Sequence, residues 1–140
     1  MSKNYINIKV PFVEKYRPNS LEDILMSNYL KTKMLNILNS KNIPNVIFTG
    51  DPGTGKTSTA IFIAKQIYNN QQLWDNNILE LNASDDRGLT ILNNIIIPFC
   101  KKLTYKKFHK LIILDEADSI TPKAQNLLGN IITQYKKNTR

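Results

Sequence analysis

Apolar positions along this chain of 140 residues recur in two different periods. Leu30, Met34, Leu35 and Leu38 fall three and four apart, which places them on one face of an α-helix, so a helix is expected from about Asn28 to Leu38. Upstream, Ser20 with Asp23 three residues later has the form of a capping pair and is expected to begin helical structure. Ala60, Ile63, Ala64 and Ile67 give a second helical stretch, Thr57 to Tyr68. Short continuous apolar runs stand between these segments. Val46-Ile47-Phe48-Thr49, closed by Gly50, reads as a buried strand, as do Ile78 to Asn82 and Lys110 to Leu114, the last ending at Asp115. The turn Asp85-Asp86-Arg87-Gly88 precedes an expected helix from Leu89 to Ile97, and Thr121-Pro122 has the N-cap and first-turn residues of a helix running to about Tyr135. Strands alternating with helices predict an α/β fold with a parallel sheet.

Between the second helix and the second strand, the polar stretch from Asn69 to Asn77 is expected to cross the surface, with Trp74 as a packing anchor. Residues 1–19 mix proline, asparagine and charge and read as an irregular leader to a domain over 20–140. A single cysteine, Cys100, excludes a disulfide framework and a four-cysteine zinc site. No apolar run approaches the ~20 residues of a membrane-spanning helix, and the N-terminus lacks the apolar stretch of a signal peptide, so a soluble intracellular protein is expected. The formal charge is +8, but 16 of the 19 cations are lysine, beside 18 asparagines and 19 isoleucines. Those three residues belong to A/T-rich codons, so basicity alone does not separate a polyanion-binding face from a lysine-coated surface.

The strongest chemical signal is Gly50-Asp51-Pro52-Gly53-Thr54-Gly55-Lys56-Thr57, which meets G-x-x-x-x-G-K-[ST] at every fixed position between an expected strand and an expected helix. Glycines allow the backbone to turn its N–H groups inward, close to phosphate oxygens. The helix start adds its positive dipole end. Lys56 supplies charge for the β- and γ-phosphates, and the Thr57 hydroxyl is a hard ligand suited to Mg²⁺. At ordinary residue frequencies such a match arises by chance in on the order of one chain in a few hundred of this length. Asp115 and Glu116 then place two carboxylates at the carboxyl end of a buried strand, where parallel sheets bind ligands. Asp115 is suited to hold Mg²⁺ through its water shell, and Glu116 to orient and deprotonate an attacking water. Lys56, Asp115 and Glu116 are therefore the candidate catalytic groups, with Thr57 and Asp115 the candidate metal pair.

Four segments in order carry a resemblance. Phe12-Val13-Glu14-Lys15-Tyr16-Arg17-Pro18, Gly50 to Thr57, Leu81-Asn82-Ala83-Ser84-Asp85-Asp86-Arg87-Gly88 and Ile113 to Asp118 resemble the boxes of replication factor C small subunits. That family belongs to the AAA+ clamp loaders, which use ATP to open a sliding clamp and place it on primer-template DNA. The resemblance implies a P-loop NTPase sheet flanked by helices, with residues 1–19 as the N-terminal box and 20–140 as a partial AAA+ domain. It implies ATP and Mg²⁺ as cofactors, with Val13 and Arg17 as nucleotide contacts before the loop and Gly50, Asp51, Pro52, Gly53, Thr54, Gly55, Lys56, Thr57 and Ser58 as the phosphate loop. Asp115 and Glu116 match the family's metal-and-water carboxylates. Arg87, Thr121 and Lys123 match its DNA-facing helix starts, and Ile95 to Phe99 its route toward the clamp. The implied partners are other clamp-loader subunits, the sliding clamp and primer-template DNA. The implied location is the nucleus in a eukaryote, or a replication site if a large DNA virus encodes the chain.

The chain also departs from the family pattern. Phe12 stands where tryptophan is common, Asp51 where proline is common, and Leu127-Leu128-Gly129-Asn130 where relatives carry a basic pair. The sequence ends at Arg140, ahead of the family's sensor strand, lid and arginine finger. In the implied strand order, 5-1-4-3-2, the fourth strand lies between the P-loop strand and the Asp115 strand. The expectation is therefore marginal stability, a gap in the sheet or direct pairing of those two strands, and no appreciable ATPase from this chain without a completed assembly. Two other readings remain: a non-catalytic assembly module, and a DEAD-box-like helicase fragment suggested by Asp115-Glu116-Ala117-Asp118.

Overall fold

The computed structural model describes residues 15, 16, 18, 20–40, 43–68, 70–84, 88–102 and 109–140. Helix α1 spans Asn28–Asn39 and starts at Ser27, whose hydroxyl accepts from the Leu30 N–H at 3.4 Å. The Ser20–Asp23 pair does form, with the Ser20 N–H donating to the Asp23 carboxylate at 2.9 Å, yet it closes a turn and begins no helix. Helix α2 is Lys56–Ile67, and α3 is Gln71–Asn77. The stretch containing α3 is expected only to cross the surface, with no helix assigned to it. It becomes helical because the Asn70 side chain accepts from the Gln72 N–H and Trp74 packs beneath it against the core.

Strands β1, Ile78–Asn82, and β2, Leu111–Asp115, are parallel, pairing Ile78 with Leu111 through Asn82 with Asp115. Because side chains alternate across a strand, Leu79, Leu81, Ile112 and Leu114 face one layer of helices, and Ile78, Leu111 and Ile113 face the opposite one. The first layer is α4 and α5. Helix α4 runs as Gly88–Ile91, a wide turn over Leu92–Ile96, and Ile97–Lys101. It continues past the expected end at Ile97 because the wide turn absorbs Pro98: the Ile97 N–H reaches back five residues to the Leu92 carbonyl. The carbonyl that would clash with the proline ring is thereby displaced. Helix α5, Pro122–Tyr135, starts as expected at Thr121, whose hydroxyl accepts from the Ala124 N–H at 3.4 Å. Ile91, Leu92, Ile96 and Cys100 of α4 meet Ala124 and Ile131 of α5 in the largest buried cluster.

The expected strand over 46–49 is a correction. Residues 43–49 carry no strand pairing among the described residues, and Ile47 is 87% exposed. Phe48 alone of the run points into a cluster, with Ile24, Met34, Phe62 and Ile63. The reason is a missing neighbour. Beside β2, on the edge away from β1, residues 138–140 already run parallel, with Lys110 bridged to Thr139 and the Ile112 N–H donating to the Arg140 carbonyl at 2.8 Å. These contacts form an isolated bridge beside the two-stranded sheet. Among the described residues nothing pairs with 46–49, so the direct pairing of that run with β2 is not formed.

One buried charge holds this end together. Lys110 is 0% exposed, and its ammonium donates to the Phe99 carbonyl at 2.6 Å and to the Lys102 carbonyl, capping α4 while lying over the Phe99 ring. Burial lowers its pKa, as the nearby Lys102 charge also does, and Cys100 partly offsets this.

Candidate phosphate-binding site

The loop from Gly50 to Gly55 folds on its own backbone. Gly50, Gly53 and Gly55 have φ of +148°, +80° and +84°, conformations that cost an L side chain energy whatever the free space. At Gly50 a Cβ would also press on the Thr54 hydroxyl at 3.2 Å. The Asp51 carbonyl accepts from the Thr54 hydroxyl at 2.8 Å, so Asp51 shapes the loop through its backbone, and its side chain is exposed. Gly55 is the N-cap of α2, and the first bond of the helix is the Thr59 N–H to the Gly55 carbonyl at 2.8 Å. The N–H groups of Lys56, Thr57 and Ser58 have no carbonyl within the helix, which is the general condition of a first turn, and they open beside the loop.

Lys56 folds back onto the loop. Its ammonium donates to the Gly50 and Asp51 carbonyls, each at 2.9 Å. These are neutral acceptors, so a phosphate that offered charged oxygens would replace them favourably. Thr57 and Asp115, 58 positions apart, meet directly: the Thr57 hydroxyl donates to Asp115 Oδ2 at 2.8 Å. Asp115 Oδ1 accepts from the Glu116 N–H at 3.0 Å. The carboxylate is thus oriented by one bond to each oxygen, and with Thr57 it forms a pair of hard oxygen donors next to the lysine. Among the described residues no group of three metal-ligating side chains exists. One carboxylate and one hydroxyl suit Mg²⁺, which retains waters and takes phosphate oxygens, better than a metal that demands a full protein cage.

Glu116 follows with φ +50° and ψ +39°, the one left-handed non-glycine residue among those described. This costs of order 1 kcal/mol or more and turns the chain sharply out of the sheet, leaving the Glu116 side chain exposed. Nothing in the sequence signals that conformation, since no glycine marks it.

The other candidates are more scattered. Thr121 caps α5, and Lys123 is exposed in its first turn. The starts of α4 and α5 abut: a Cβ on Gly88 would lie 3.1 Å from that of Ala124. Of Ile95 to Phe99, Ile95 and Pro98 are exposed and Ile96 is in the core. Val13, Arg17 and Arg87 lie outside the described residues, as does most of the 1–19 box. His109 and Cys100 lie away from these groups, just before β2 and at the end of α4. His109 is held below its usual pKa by burial and the Arg140 charge, and burial raises the Cys100 thiol.

A glycine-rich loop that opens a helix and faces an acidic strand end is the arrangement of a P-loop nucleotide-binding site. Residues 46–140 match the ATPase family associated with various cellular activities (AAA), and the chain belongs to that family, whose members bind nucleotide. More particularly, it is 45% identical over 132 residues to replication factor C subunit 3 of Saccharomyces cerevisiae, covering 94% of this chain and 38% of that one. It is 43% identical over 132 residues to replication factor C subunit 5 of Homo sapiens, with the same coverage. Similarity to replication factor C small subunit 2 of Pyrobaculum islandicum is 40% over 128 residues, covering 91% of this chain and 39% of that one. The chain therefore spans about two-fifths of the length of these relatives. Among the described residues no helix is long and apolar enough to cross a membrane.

Proposed function

We propose that this chain is the nucleotide-binding front part of a clamp-loader subunit of the replication factor C kind. It would bind ATP with Mg²⁺ and act with other subunits, a sliding clamp and primer-template DNA, in the nucleus if the source is eukaryotic. The observation that carries this reading is the Thr57–Asp115 hydrogen bond beside the Lys56-capped loop. It joins the two oxygen donors at the place where a phosphate-bound Mg²⁺ would need them. Bound ATP supplies the phosphoryl group and its charge. The residues divide the remaining work. The loop N–H groups and Lys56 hold the phosphates, Thr57 and Asp115 hold the metal, and Glu116 accepts a proton from an attacking water. The starts of α4 and α5 abut, with Thr121 and Lys123 at the second of them, and their positive dipole ends would suit backbone phosphates of DNA; Arg87, the residue before α4 in sequence, would add charge.

The test separates binding from turnover. Lys56→Ala is expected to weaken ATP binding. Glu116→Gln is expected to leave binding intact and to stop hydrolysis once the chain is assembled with partner subunits, because the two side chains act on different states of the reaction. Equal loss of binding in both variants contradicts the assignment.

A further inference from the structure

Residues 43–49 lead directly into the candidate phosphate loop, yet among the described residues no ladder holds them. Two side chains of the segment are packed: Ile43 against Ala64, Tyr68, Ile78 and Leu111, and Phe48 against Phe62 and Ile63. One hydrogen bond among the described residues ties the segment to the sheet, and it comes from the far end of the chain. Arg140 Nε donates to the Ile43 carbonyl at 2.5 Å, across 97 positions of sequence.

Arg140 is itself firmly placed. Its N–H donates to the Lys110 carbonyl and its carbonyl accepts from Ile112, both at 2.8 Å, which locks its backbone against β2. The same guanidinium donates through Nη1 to the Thr139 carbonyl at 2.9 Å and to the Lys136 carbonyl, so it also closes the end of α5. A planar fork with five donors can serve three carbonyls in fixed directions, which a lysine ammonium on a flexible stem does poorly. The result is a register mark: Ile43 is held level with the start of β2, while Thr57 reaches Asp115 at the other end of that strand.

We propose that Arg140 is a positioning residue for the nucleotide site, fixing the 43–49 segment against β2 and thereby the placement of the phosphate loop that follows. This rests on the nucleotide-binding reading above. A competing role as a mere cap of α5 would leave 43–49 indifferent to its removal.

The experiment uses the whole chain with a nitroxide attached at Ile47→Cys, an 87% exposed position; the native Cys100 is buried. A second label at the exposed Gln134→Cys on α5 serves as reference. Three substitutions are compared. Arg140→Met keeps the stem and removes every donor. Arg140→Lys keeps charge and one point of donation. Asn138→Ala removes a different tie on the same turn, the Asn138 amide to the Cys100 carbonyl at 3.1 Å, which does not touch 43–49. Arg140→Met is expected to sharpen the spectrum at position 47 and not at 134. It should weaken binding of a fluorescent ATP analogue with Mg²⁺ roughly tenfold, the scale of one lost hydrogen bond from a charged donor. Arg140→Lys should recover part of both effects, and Asn138→Ala should show neither. An Arg140→Met chain whose label at 47 is unmoved, or whose labels at 47 and 134 loosen together, overturns the proposal. A wild-type chain that binds no analogue refutes the nucleotide reading itself, and the label at 47 then still decides whether Arg140 fixes the segment.

Discussion

The two halves of this molecule are held by different kinds of interaction. From Ile78 onward, parallel strands pair residue for residue and bury the face of α4 and α5, with Ile96, Cys100 and Ala124 fully enclosed. From Ile43 to Ile67 the order comes from glycine-dependent backbone turns, one folded-back lysine and two small apolar clusters, with Val46 and Ile47 left at the surface. The first half supplies rigidity and one carboxylate. The second supplies almost all the groups that would touch a phosphate. The Thr57–Asp115 bond is where the two meet, so the candidate chemistry depends on a loosely held region being docked onto a well-packed one.

The largest expected effect tests that contrast directly. Ile96→Ala empties a 0% exposed site in the main cluster and is expected to cost about 2–5 kcal/mol of unfolding free energy, read by urea denaturation. The matched change at the surface, Ile47→Ala, is expected to stay within about 0.5 kcal/mol. If the two cost the same, residues 43–49 are packed as a core strand and the contrast is wrong. Next in size is Lys56→Ala. Its ammonium contacts two exposed loop carbonyls, so its loss should weaken nucleotide binding by more than about tenfold while leaving the unfolding midpoint nearly unchanged. Calorimetric titration and thermal melting of the same preparation separate the two. A large fall in melting temperature would mean that the lysine holds the fold.

Gly88→Ala is expected to cost less, of order 1 kcal/mol. The added methyl would meet the Ala124 Cβ at 3.1 Å, and Ala124 is fully buried on a helix and has no rotamer through which to yield. Crowding should therefore outweigh the gain of up to about 1 kcal/mol in helix propensity. In a double-mutant cycle Gly88→Ala should cost less in an Ala124→Gly background than in the wild type; an equal cost in both backgrounds would place the loss elsewhere.

Much of the architecture was legible. The two ladder strands and the helices after Gly55 and Thr121 lie within a residue or two of their expected limits, because glycine, proline and capping residues punctuate those segments. The turns of the candidate phosphate loop and the place of Asp115 at a strand end were legible for a related reason: their backbone geometry is carried by residue types at fixed spacing. What was not legible depends on distant partners. The run 46–49 has the composition of a buried strand, but composition does not say whether a neighbour lies beside it. Lys110 reads as the polar edge of an apolar run and is buried as a cap only because α4 ends against it. Arg140 has no local signature at all, since its partner is at Ile43.

The smallest predicted effect concerns acid. His109 sits at the entrance to β2, where burial first and the Arg140 charge second hold its pKa below the usual 6.5. The folded state therefore binds a proton less readily than the unfolded chain. The stability tied to this group is complete above pH ~6.5, the unfolded value, and is lost as the pH falls through that value toward the folded one. Carboxylates titrate lower, so the effect is read as a difference. Between pH 7.5 and 5.5 the wild-type chain should lose more unfolding free energy than His109→Gln, which cannot charge. Arg140→Met removes the second cause and keeps the first, so it should shrink the acid loss without abolishing it. If wild type and His109→Gln lose stability in parallel over this range, the imidazole is solvated, and the closed packing assigned to the start of β2 does not hold there.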